Sequence, residues 1–337
     1  MSPFDAAVCL SSLAPQTGGA EASPLLKARA LVTGGAGFIG SFLSEKLHSL
    51  GVRVTVVDSM ATGRSANLAS ISTQVDLMDA DLSDVLRTGE LNLADYDIVY
   101  HLAANPYIPP SVDDPVYDAT ANLWMTLTLL EALRALDEAA PRLVYASSAA
   151  VYGNPTRLPI SETNPTVPIA PYGVSKLAAE RYVAVYSELY GIRANSLRLF
   201  SVYGPRQRKQ VIYDLARRLA HDPSHLEVVG DGTQARDFVY VEDVVQAFVL
   251  AATVAPARGE VYNVATGMTH TIADLVEALC DVRGVAPEIY YSGSIRPGDA
   301  DRWEVDITRI KALGFAPKVP LRAGLVAIGD WIDDSPE

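Results

Sequence analysis

Short apolar runs and longer amphipathic segments alternate along the chain, and their order predicts the fold class. The runs have the length and the content of β-branched residues that are typical of buried strands. They lie at 30–33, 52–57, 97–101, 143–146 and 194–199. Between them, apolar residues recur at helical spacing, and the longest such segments are 116–136 and 174–190. This alternation predicts an α/β protein with a Rossmann-type, doubly wound parallel sheet.

Glycines follow the first apolar run and precede a helical pattern. The run at 30–33 leads into Gly34, Gly37 and Gly40, and the segment 41–50 then has apolar residues at helical spacing. A glycine-rich turn between a strand and a helix lets the backbone approach a pyrophosphate, whose charge the helix N-terminus stabilises. Tight packing of the helix against the strand would require the same glycines.

Asp58 favours a phosphate-binding turn over tight packing alone. It comes directly after the run 52–57, which completes a strand, helix and strand unit. A carboxylate at this strand end is placed to accept hydrogen bonds from both hydroxyls of an adenosine ribose, and its charge repels a 2′-phosphate. The unit therefore predicts a bound dinucleotide, NAD rather than NADP.

The regular alternation weakens after Val202, where Pro and Gly interrupt the chain. We expect a smaller C-terminal lobe to pack over the carboxyl edge of the sheet, because ligands of open α/β sheets bind at that edge. The predicted NAD-binding domain comprises residues 28–200 and about 236–264. The predicted substrate-binding lobe comprises residues 201–235 and 265–337.

The first residues of the chain predict neither a strand nor a helix. Residues 1–26 contain no Lys or Arg and are rich in Ser, Ala, Gly and Pro. A signal peptide begins with positive charge, so a flexible leader over residues 1–27 is the better interpretation.

Composition narrows the class of partner and the cellular setting. There are 40 acidic residues and 27 Lys and Arg, which gives a net charge of −13. Nucleic acid and anionic membranes attract clustered positive charge, so both are excluded as main partners. The two cysteines, Cys9 and Cys280, and the five scattered histidines have no metal-ligand spacing. Uninterrupted apolar stretches long enough to span a membrane do not occur. These features predict a cytoplasmic protein without a metal.

Hydroxyl groups and one lysine form a second candidate constellation. Ser147 and Ser148 end the strand at 143–146, at the edge where a ligand is expected. Tyr172 and Lys176 stand four residues apart on a predicted helix and therefore project from one face. A lysine in this position can lower the pKa of the phenol. The same spacing is common on surface helices, and a serine at a strand end is often only a cap.

Taken together, an ordered set of motifs resembles the extended short-chain dehydrogenase/reductase family, in its nucleotide-sugar epimerase and dehydratase branch. The resemblance extends from Arg29 to Trp331. The motifs that carry it lie at 33–40, 101–104, 147–153, 171–176, 203–206, 236–243 and 296–299.

The resemblance implies roles for individual residues. Tyr172 would be the general base, Lys176 would bind the nicotinamide ribose, and Ser148 would bind the reacting sugar hydroxyl. The other implied NAD-binding residues are Gly34, Gly37, Phe38, Ile39, Gly40, Asp58, Thr62, Gly63, Asp81, Leu82, Leu102, Ala103, Ala104 and, behind them, Asn122. The implied nucleotide-sugar-binding residues are Ser147, Ser148, Ser201, Arg208, Arg236, Arg296, Asp299 and Trp303. The segments 116–136 and 174–190 resemble the helices that form a homodimer in this family.

The residues after Ser148 separate the reactions known in this branch. Sugar 4,6-dehydratases carry Asp and Glu there, because elimination needs an added acid and base. Ala149 and Ala150 cannot transfer protons. The remaining set of hydroxyl, Tyr, Lys and NAD suffices for a 4-epimerase that works through a 4-keto sugar. A decarboxylase or reductase of the same family is the alternative, and a sensor of NAD without turnover is disfavoured by the retained Tyr and Lys.

The substrate stays open between a UDP-hexose and a UDP-uronate. Ser201 stands where most UDP-glucose 4-epimerases have Asn, and the segment that follows looks more like that of uronate 4-epimerases. Arg208 could hold a C6 carboxylate, or it could be a solvated loop charge. Trp303 falls where the family restricts the sugar pocket by side-chain size, which disfavours N-acetylated sugars.

Overall fold

The computed structural model describes residues 25–294 and 301–334. The strands are β1 (Arg29–Thr33), β2 (Arg53–Asp58), β3 (Asp76–Asp79), β4 (Ile98–His101), β5 (Arg142–Ser148), β6 (Ala194–Leu199), β7 (Ser201–Tyr203), β8 (His225–Val228), β9 (Ala235–Arg236), β10 (Phe238–Tyr240), β11 (Glu260–Val264), β12 (His270–Thr271) and β13 (Glu288–Tyr291).

The α-helices alternate with these strands through most of the chain. They are α1 (Phe38–Ser49), α2 (Leu82–Thr88), α3 (Ile108–Asp113), α4 (Pro115–Ala119), α5 (Met125–Arg134), α6 (Pro171–Tyr190), α7 (Val211–His221), α8 (Val241–Thr253), α9 (Ile272–Arg283), α10 (Thr308–Lys311) and α11 (Leu321–Asp334).

Seven strands form one parallel sheet in the order β11-β6-β5-β4-β1-β2-β3. Side chains of successive residues point to opposite faces, as in any strand. Ala30 and Val32 therefore lie in the core beside α1 and α8, whereas Leu31 lies in the core beside α2, α5 and α6. The predicted fold class, a Rossmann-type doubly wound sheet, is confirmed.

The strand order reverses between β1 and β4, and this reversal positions the site. From β1 the chain runs outward through β2 to β3, and it then returns to β4 on the other side of β1. The connections after β1 and β4 consequently diverge at the carboxyl edge and leave a crevice between them. A dinucleotide binds in such a crevice in folds of this type.

A second group of elements covers the same edge of the sheet. The strand pairs β8 with β13 and β9 with β12 lie outside the large sheet, and α11 packs on α7 and α9. Between them, α8 and β11 return to the sheet, where β11 pairs with β6. The chain thus leaves the large sheet after β6 and re-enters it at β11.

Three details differ from the sequence-based expectations or extend them. The predicted helix at 116–136 is divided into α4 and α5 by one π-helical turn, Thr120–Trp124. Strand β3 was not predicted, because it is only four residues long, has Asp at both ends and lies largely exposed at the sheet edge. Leu25, within the segment predicted as a leader, is buried in the core, and residues 1–24 lie outside the described part of the chain. In that described part, no helix has the length and hydrophobicity needed to cross a membrane.

Candidate active site

Glycines bring the turn after β1 close to the connection after β4. Gly34 has a φ of +70°, and a Cβ added there would stand 2.7 Å from the backbone nitrogen of Ala103. A Cβ on Gly40 would stand 2.1 Å from the carbonyl oxygen of Gly34. Both positions require glycine, and the result is an open backbone cradle at the N-terminus of α1 that fits a pyrophosphate.

Asp58 ends β2 beside this cradle. Its carboxylate accepts hydrogen bonds of 2.9 Å from the backbone N–H groups of Ala36 and Met60, and burial raises its pKa. Gly63 closes over it, since a Cβ there would stand 2.6 Å from Oδ1 of Asp58. The carboxylate is thus fixed at the strand end, where the ribose of a dinucleotide would lie.

A first cavity of about 510 Å³ extends from the glycine cradle to the end of β5. Most of the sequence-predicted NAD-binding residues line it. They are Gly34, Gly37, Phe38, Ile39, Gly40, Asp58, Thr62, Asp81, Leu82, Leu102, Ala103, Ala104, Tyr172 and Lys176. The glycine cradle and the residues that line this cavity therefore fit NAD as a ligand.

Asn122, which the resemblance places behind the NAD-binding residues, does not line the first cavity. It lies buried on the π-helical turn, where its side-chain oxygen accepts a 2.8 Å hydrogen bond from the backbone N–H of Asn105. Asn122 therefore holds the chain segment that follows Ala104, behind the cavity wall.

Ser148, Tyr172 and Lys176 come together at the inner end of the first cavity. Ser148 ends β5, and its hydroxyl oxygen accepts a 3.2 Å hydrogen bond from the backbone N–H of Ala150. Pro171 begins α6, so Tyr172 lies in the first turn and Lys176 one turn later. The ammonium of Lys176 donates a 3.0 Å hydrogen bond to the carbonyl oxygen of Ala146.

The protonation of this trio is dominated by burial. Burial raises the pKa of Tyr172 to about 12, and a hydrogen bond from Ser148 acts in the opposite direction. Burial also lowers the pKa of Lys176 to about 8. In this state the phenol keeps its proton, and the ammonium is close to its titration range near neutral pH. Such displaced values are typical of acid–base residues in active sites.

A second cavity of about 570 Å³ lies between the sheet and the smaller lobe. Among the predicted substrate-binding residues, Ser148, Ser201, Arg236 and Trp303 line it. Ser148 and Tyr172 line both cavities. Ser148 and Tyr172 are therefore placed where a dinucleotide and a second ligand would meet, with Lys176 on the side of the dinucleotide.

Trp303 and Arg236 form one wall of the second cavity. The indole ring of Trp303 packs edge-on against Phe200, with ring centroids 5.7 Å apart. The guanidinium of Arg236 lies over the indole, 5.1 Å from the ring centroid. This arrangement presents a positive charge and a bulky ring to the second ligand. The predicted residues Arg296 and Asp299 lie outside the described residues.

Ser147 differs from its predicted substrate-binding role. Its side chain is buried, and its hydroxyl donates a 2.7 Å hydrogen bond to Oε2 of Glu180. Ser147 lines the first cavity but not the second. Because successive residues of a strand point to opposite faces, Ser148 faces the second cavity, whereas the hydroxyl of Ser147 points toward α6.

Arg208 also lies elsewhere than predicted. Its guanidinium lies over the ring of Trp331, 5.3 Å from the centroid. It lines the first cavity and does not line the second. The geometry therefore does not place Arg208 beside the sugar of a ligand in the second cavity.

Several residues at the junction of the cavities were not predicted, among them the polar residues Tyr107 and Gln207. Tyr107 and Gln207 each line both cavities. The ammonium of Lys209 lies over the Tyr107 ring, 4.1 Å from the centroid. Gln207 is buried, and its side-chain N–H donates a 2.8 Å hydrogen bond to the carbonyl oxygen of Val202. Gln207 directly follows the motif at 203–206 and could have been found from it, whereas nothing in the sequence singled out Tyr107.

No metal site accompanies these residues in the part of the chain that the structure describes. Across residues 25–294 and 301–334, His, Cys, Asp and Glu side chains do not form a group of three or more that could hold a metal ion.

The fold and the site together define an NAD-binding enzyme of the Rossmann type with a Ser, Tyr and Lys site. The chain belongs to the NAD dependent epimerase/dehydratase family, whose model matches residues 30–265. The resemblance inferred from the motifs is thereby confirmed, as are the NAD cofactor and the assignment as an enzyme of this family.

Individual relatives are similar over nearly the whole chain. A UDP-glucose 4-epimerase from Mycolicibacterium smegmatis is 37% identical over 305 residues, which cover 88% of this chain and 96% of that protein. A Thermus thermophilus UDP-glucose 4-epimerase in complex with NAD has a TM-score of 0.82 and 36% identity, covering 91% of this chain and 100% of that one. A Bacillus cereus UDP-glucuronic acid 4-epimerase in complex with UDP-glucuronic acid and NAD has a TM-score of 0.80 and 31% identity, covering 91% and 99%.

Proposed function

We propose that the protein is an NAD-dependent 4-epimerase that interconverts UDP-glucose and UDP-galactose. The observation that carries this proposal is the meeting of the two cavities at Ser148 and Tyr172. The next two side chains, Ala149 and Ala150, are methyl groups, so they offer no acid or base for eliminating water. Relatives named UDP-glucose 4-epimerase support the hexose.

The chain's own residues move the proton of the reacting hydroxyl. Tyr172 accepts that proton as general base and returns it to the same oxygen after the 4-keto sugar has turned over. Ser148 donates a hydrogen bond to this oxygen, and the positive charge of Lys176 stabilises the phenolate. When bound, NAD would take up a hydride from one face of C4 and supply it to the opposite face.

The smaller lobe supplies the nucleotide-binding side of the proposed site. Arg236 adds a positive charge for a diphosphate, and its stacking on Trp303 limits the directions in which the guanidinium can point. Trp303 also narrows the second cavity, which disfavours a sugar with an N-acetyl group. Trp303 belongs to the predicted substrate-binding lobe, residues 201–235 and 265–337, and Arg236 stands at the boundary of that lobe, at the end of β9.

Turnover without net redox change tests the proposal directly. Purified protein is incubated with UDP-glucose and no added NAD, and the nucleotide sugars are resolved by chromatography. We expect UDP-galactose to form and no NADH to accumulate, because the same carbon is oxidised and reduced. NADH formed in proportion to product would identify a dehydrogenase, and release of carbon dioxide from UDP-glucuronate would identify a decarboxylase.

A UDP-uronate is the second candidate substrate, supported by the similarity to the Bacillus cereus enzyme. In this alternative Arg208 would have to leave the Trp331 ring and reach a C6 carboxylate. Arg208→Ala would then lower kcat/KM for UDP-glucuronate by roughly ten- to a hundredfold more than for UDP-glucose, since a charge-assisted hydrogen bond contributes about 1.5–3 kcal/mol. Equal effects on both substrates would favour the neutral hexose.

We also propose that the protein forms a homodimer through α4, α5 and α6. Large apolar side chains are exposed along these helices, among them Val116, Trp124, Tyr182, Val185 and Leu189. We name this set the apolar helix face. Exposed large apolar side chains grouped on neighbouring helices are typical of a protein interface, and a second copy turned by a twofold axis would cover one such face with another.

A further inference from the structure

A buried carboxylate lies behind the helix that carries Tyr172 and Lys176. Asp118 is the penultimate residue of α4, and its side chain is inaccessible to solvent. It accepts hydrogen bonds from three neutral donors, which are Asn105 Nδ2 at 2.8 Å, Asn122 Nδ2 at 2.9 Å and Ser175 Oγ at 2.6 Å. Burying a charge among neutral groups costs free energy that an opposite charge nearby can offset.

Lys176 is the opposite charge on which Asp118 acts. The ammonium is buried and donates a hydrogen bond to the carbonyl oxygen of Ala146. Burial favours the neutral amine, whereas the negative charge of Asp118 favours the ammonium and raises the pKa of Lys176. The two groups therefore form a pair through space, without a direct ion pair.

Ser175 connects Asp118 to the helix of the catalytic residues. It precedes Lys176 in α6, and its hydroxyl lies 2.6 Å from Oδ2 of Asp118 and 3.0 Å from the carbonyl oxygen of Tyr172. Asn122 donates a further hydrogen bond to the same hydroxyl. The first turn of α6 is consequently fixed relative to Asp118.

We propose that Asp118 is a positioning residue for the reaction, whose fixed negative charge keeps Lys176 protonated and whose hydrogen bond to Ser175 orients the first turn of α6. This inference rests on the proposed function for the roles of Tyr172 and Lys176. It adds a group that contacts neither cavity and acts only through those two residues.

The other groups that face Lys176 do not replace this charge. His101 of β4 is neutral, because burial lowers its pKa to about 3. Tyr145 of β5, whose ring lies 5.1 Å from the Lys176 ammonium, keeps its proton because burial raises its pKa far above the ordinary value. Glu180 of α6 is paired with Arg198 of β6. Among the described residues that face Lys176, Asp118 supplies the uncompensated negative charge.

The same charge acts on Tyr172 and determines the sign of the expected effect. Asp118 raises the pKa of Tyr172 as well as that of Lys176, because a negative charge holds a proton on either group. Removing it should therefore move both titrations to lower pH. A purely structural role would lower activity without moving either titration.

Asp118→Asn removes the charge and can keep the contacts. The amide oxygen can accept from Asn105 and Asn122, and the amide N–H₂ can donate to Ser175, which then donates to the carbonyl of Tyr172. The Lys176 side chain is followed in the full-length protein by NMR of ¹³Cε-labelled lysine, with Lys176→Arg for assignment. We expect Lys176 to titrate roughly one pH unit lower in Asp118→Asn than in the wild type. An unchanged titration would overturn the proposal.

Activity gives a second readout, and one variant serves as a control. We expect the profile of kcat/KM against pH to move to lower pH in Asp118→Asn. Asp243→Asn is the matched control, because Asp243 is also buried and accepts hydrogen bonds from the backbone N–H groups of Lys318 and Val319. It should leave the titration of Lys176 in place, and an equal movement in both variants would contradict the proposal.

The two measurements separate this inference from the proposed function. If UDP-glucose is not epimerised but the Lys176 titration moves, the proposed function fails and the action of Asp118 on Lys176 stands. If epimerisation occurs and the titration does not move, the inference alone fails. Should Asp118→Asn not fold, Asp118→Ser, which is smaller and leaves room for a water, carries the same test.

Discussion

At the scale of single residues, His101 shows how the core fixes one protonation state. The hydroxyl of Thr126 donates to the carbonyl oxygen of Asn122, so it can only accept from Nε2 of His101. Because Nε2 then carries the proton of the neutral ring, Nδ1 accepts from the hydroxyl of Thr33, which itself accepts from the N–H of Ala103. The ring carries its proton on Nε2, and a second proton on Nδ1 would face another donor.

This arrangement predicts how the free energy of unfolding depends on pH. Burial lowers the pKa of His101 from 6.5 to about 3 in the folded protein. As the pH falls from 6.5 to 3, the unfolded chain binds a proton that the folded protein does not bind. His101 therefore makes the free energy of unfolding fall by about 1.4 kcal/mol per pH unit in that window.

His101→Asn should remove this dependence. The variant is less stable than the wild type at pH 7, but the difference should narrow as the pH decreases toward 4.5. Urea denaturation at several pH values measures both free energies of unfolding. Parallel curves for the two proteins would show that His101 also binds a proton in the folded state.

Substitution of Tyr172 tests its proposed role as the general base. Tyr172→Phe removes the hydroxyl and keeps the ring, so kcat should fall at least about a hundredfold while NAD remains bound. The turnover rate and the NAD content of the purified variant are measured together. Tyr182→Phe, on the exposed side of the same helix, is the control and should keep normal turnover. Near-normal turnover of Tyr172→Phe would refute its assignment as the base.

Sequence reasoning works best for residues whose position follows from a motif together with the geometry of a helix or a strand. Tyr172 and Lys176 share a helix face whatever the tertiary structure, and Ser148 follows from the end of a strand. The direction in which the Ser147 side chain points depends on which face of β5 packs against α6. That packing is tertiary structure, which the local sequence does not determine. The position of Arg208 depends on a contact with Trp331, which lies far along the chain.

At the scale of elements, a buried ion pair joins α6 to β6 behind the catalytic trio. The guanidinium of Arg198 donates to both carboxylate oxygens of Glu180, at 2.9 and 2.5 Å. Ser147 of β5 donates to Glu180, and Arg198 donates to the hydroxyl of Tyr152 at 2.7 Å. The pair thus holds the helix of Tyr172 against the strands that end at the cavities.

Breaking this pair should cost much more than breaking an exposed pair. Glu180→Gln leaves the buried charge of Arg198 without its partner, which we expect to lower the free energy of unfolding by about 3–5 kcal/mol. Asp84→Asn is the control, because the side chains of Arg87 and Asp84 are 73% and 68% exposed. Its loss should stay below about 1 kcal/mol. Equal losses, measured by urea denaturation, would show that the buried pair contributes no more than the exposed one.

Elements were predictable from the sequence where burial made their patterns distinct. The inner strands have two covered faces and therefore read as continuous apolar runs. Strand β3 lies at the sheet edge and has two apolar residues between two Asp, so it gives no such run. The π-helical turn inserts one residue into a helix, and the residue types there are the same as in an ordinary helix, so the sequence does not reveal it. The turn lies where Asn122 holds the chain beside the first cavity.

At the scale of the whole molecule, the order of the strands places the site more than any single contact does. Strand and helix alternate from β1 to β6, and this order alone predicts the parallel sheet and the ligand edge. The smaller lobe has short strands that pair across long separations in sequence, such as β8 with β13. Pairs of this kind leave no periodic pattern, so the lobe could be predicted only as an irregular region.

The apolar helix face predicts how two copies of the chain associate. Tyr182, Val185 and Leu189 lie on one side of α6 because they are spaced by three and four residues. Val185 and Leu189 are 44% and 66% exposed in the single chain. If a second copy covers this face, the double variant Val185→Glu with Leu189→Glu would bury four carboxylates in the dimer interface, since each copy contributes two. The cost of burying unpaired charges should prevent association.

We therefore expect the wild type to sediment at about twice the mass of one 36.1 kDa chain and the double variant at the mass of a single chain. Val254→Glu is the matched control, because Val254 is 55% exposed and follows α8, away from the apolar helix face. It should leave the dimer intact. NAD should stay bound to the double variant, since the residues of the first cavity come from one chain. A wild-type protein that sediments as a single chain across the micromolar range, or a double variant that remains a dimer, would refute association through this face.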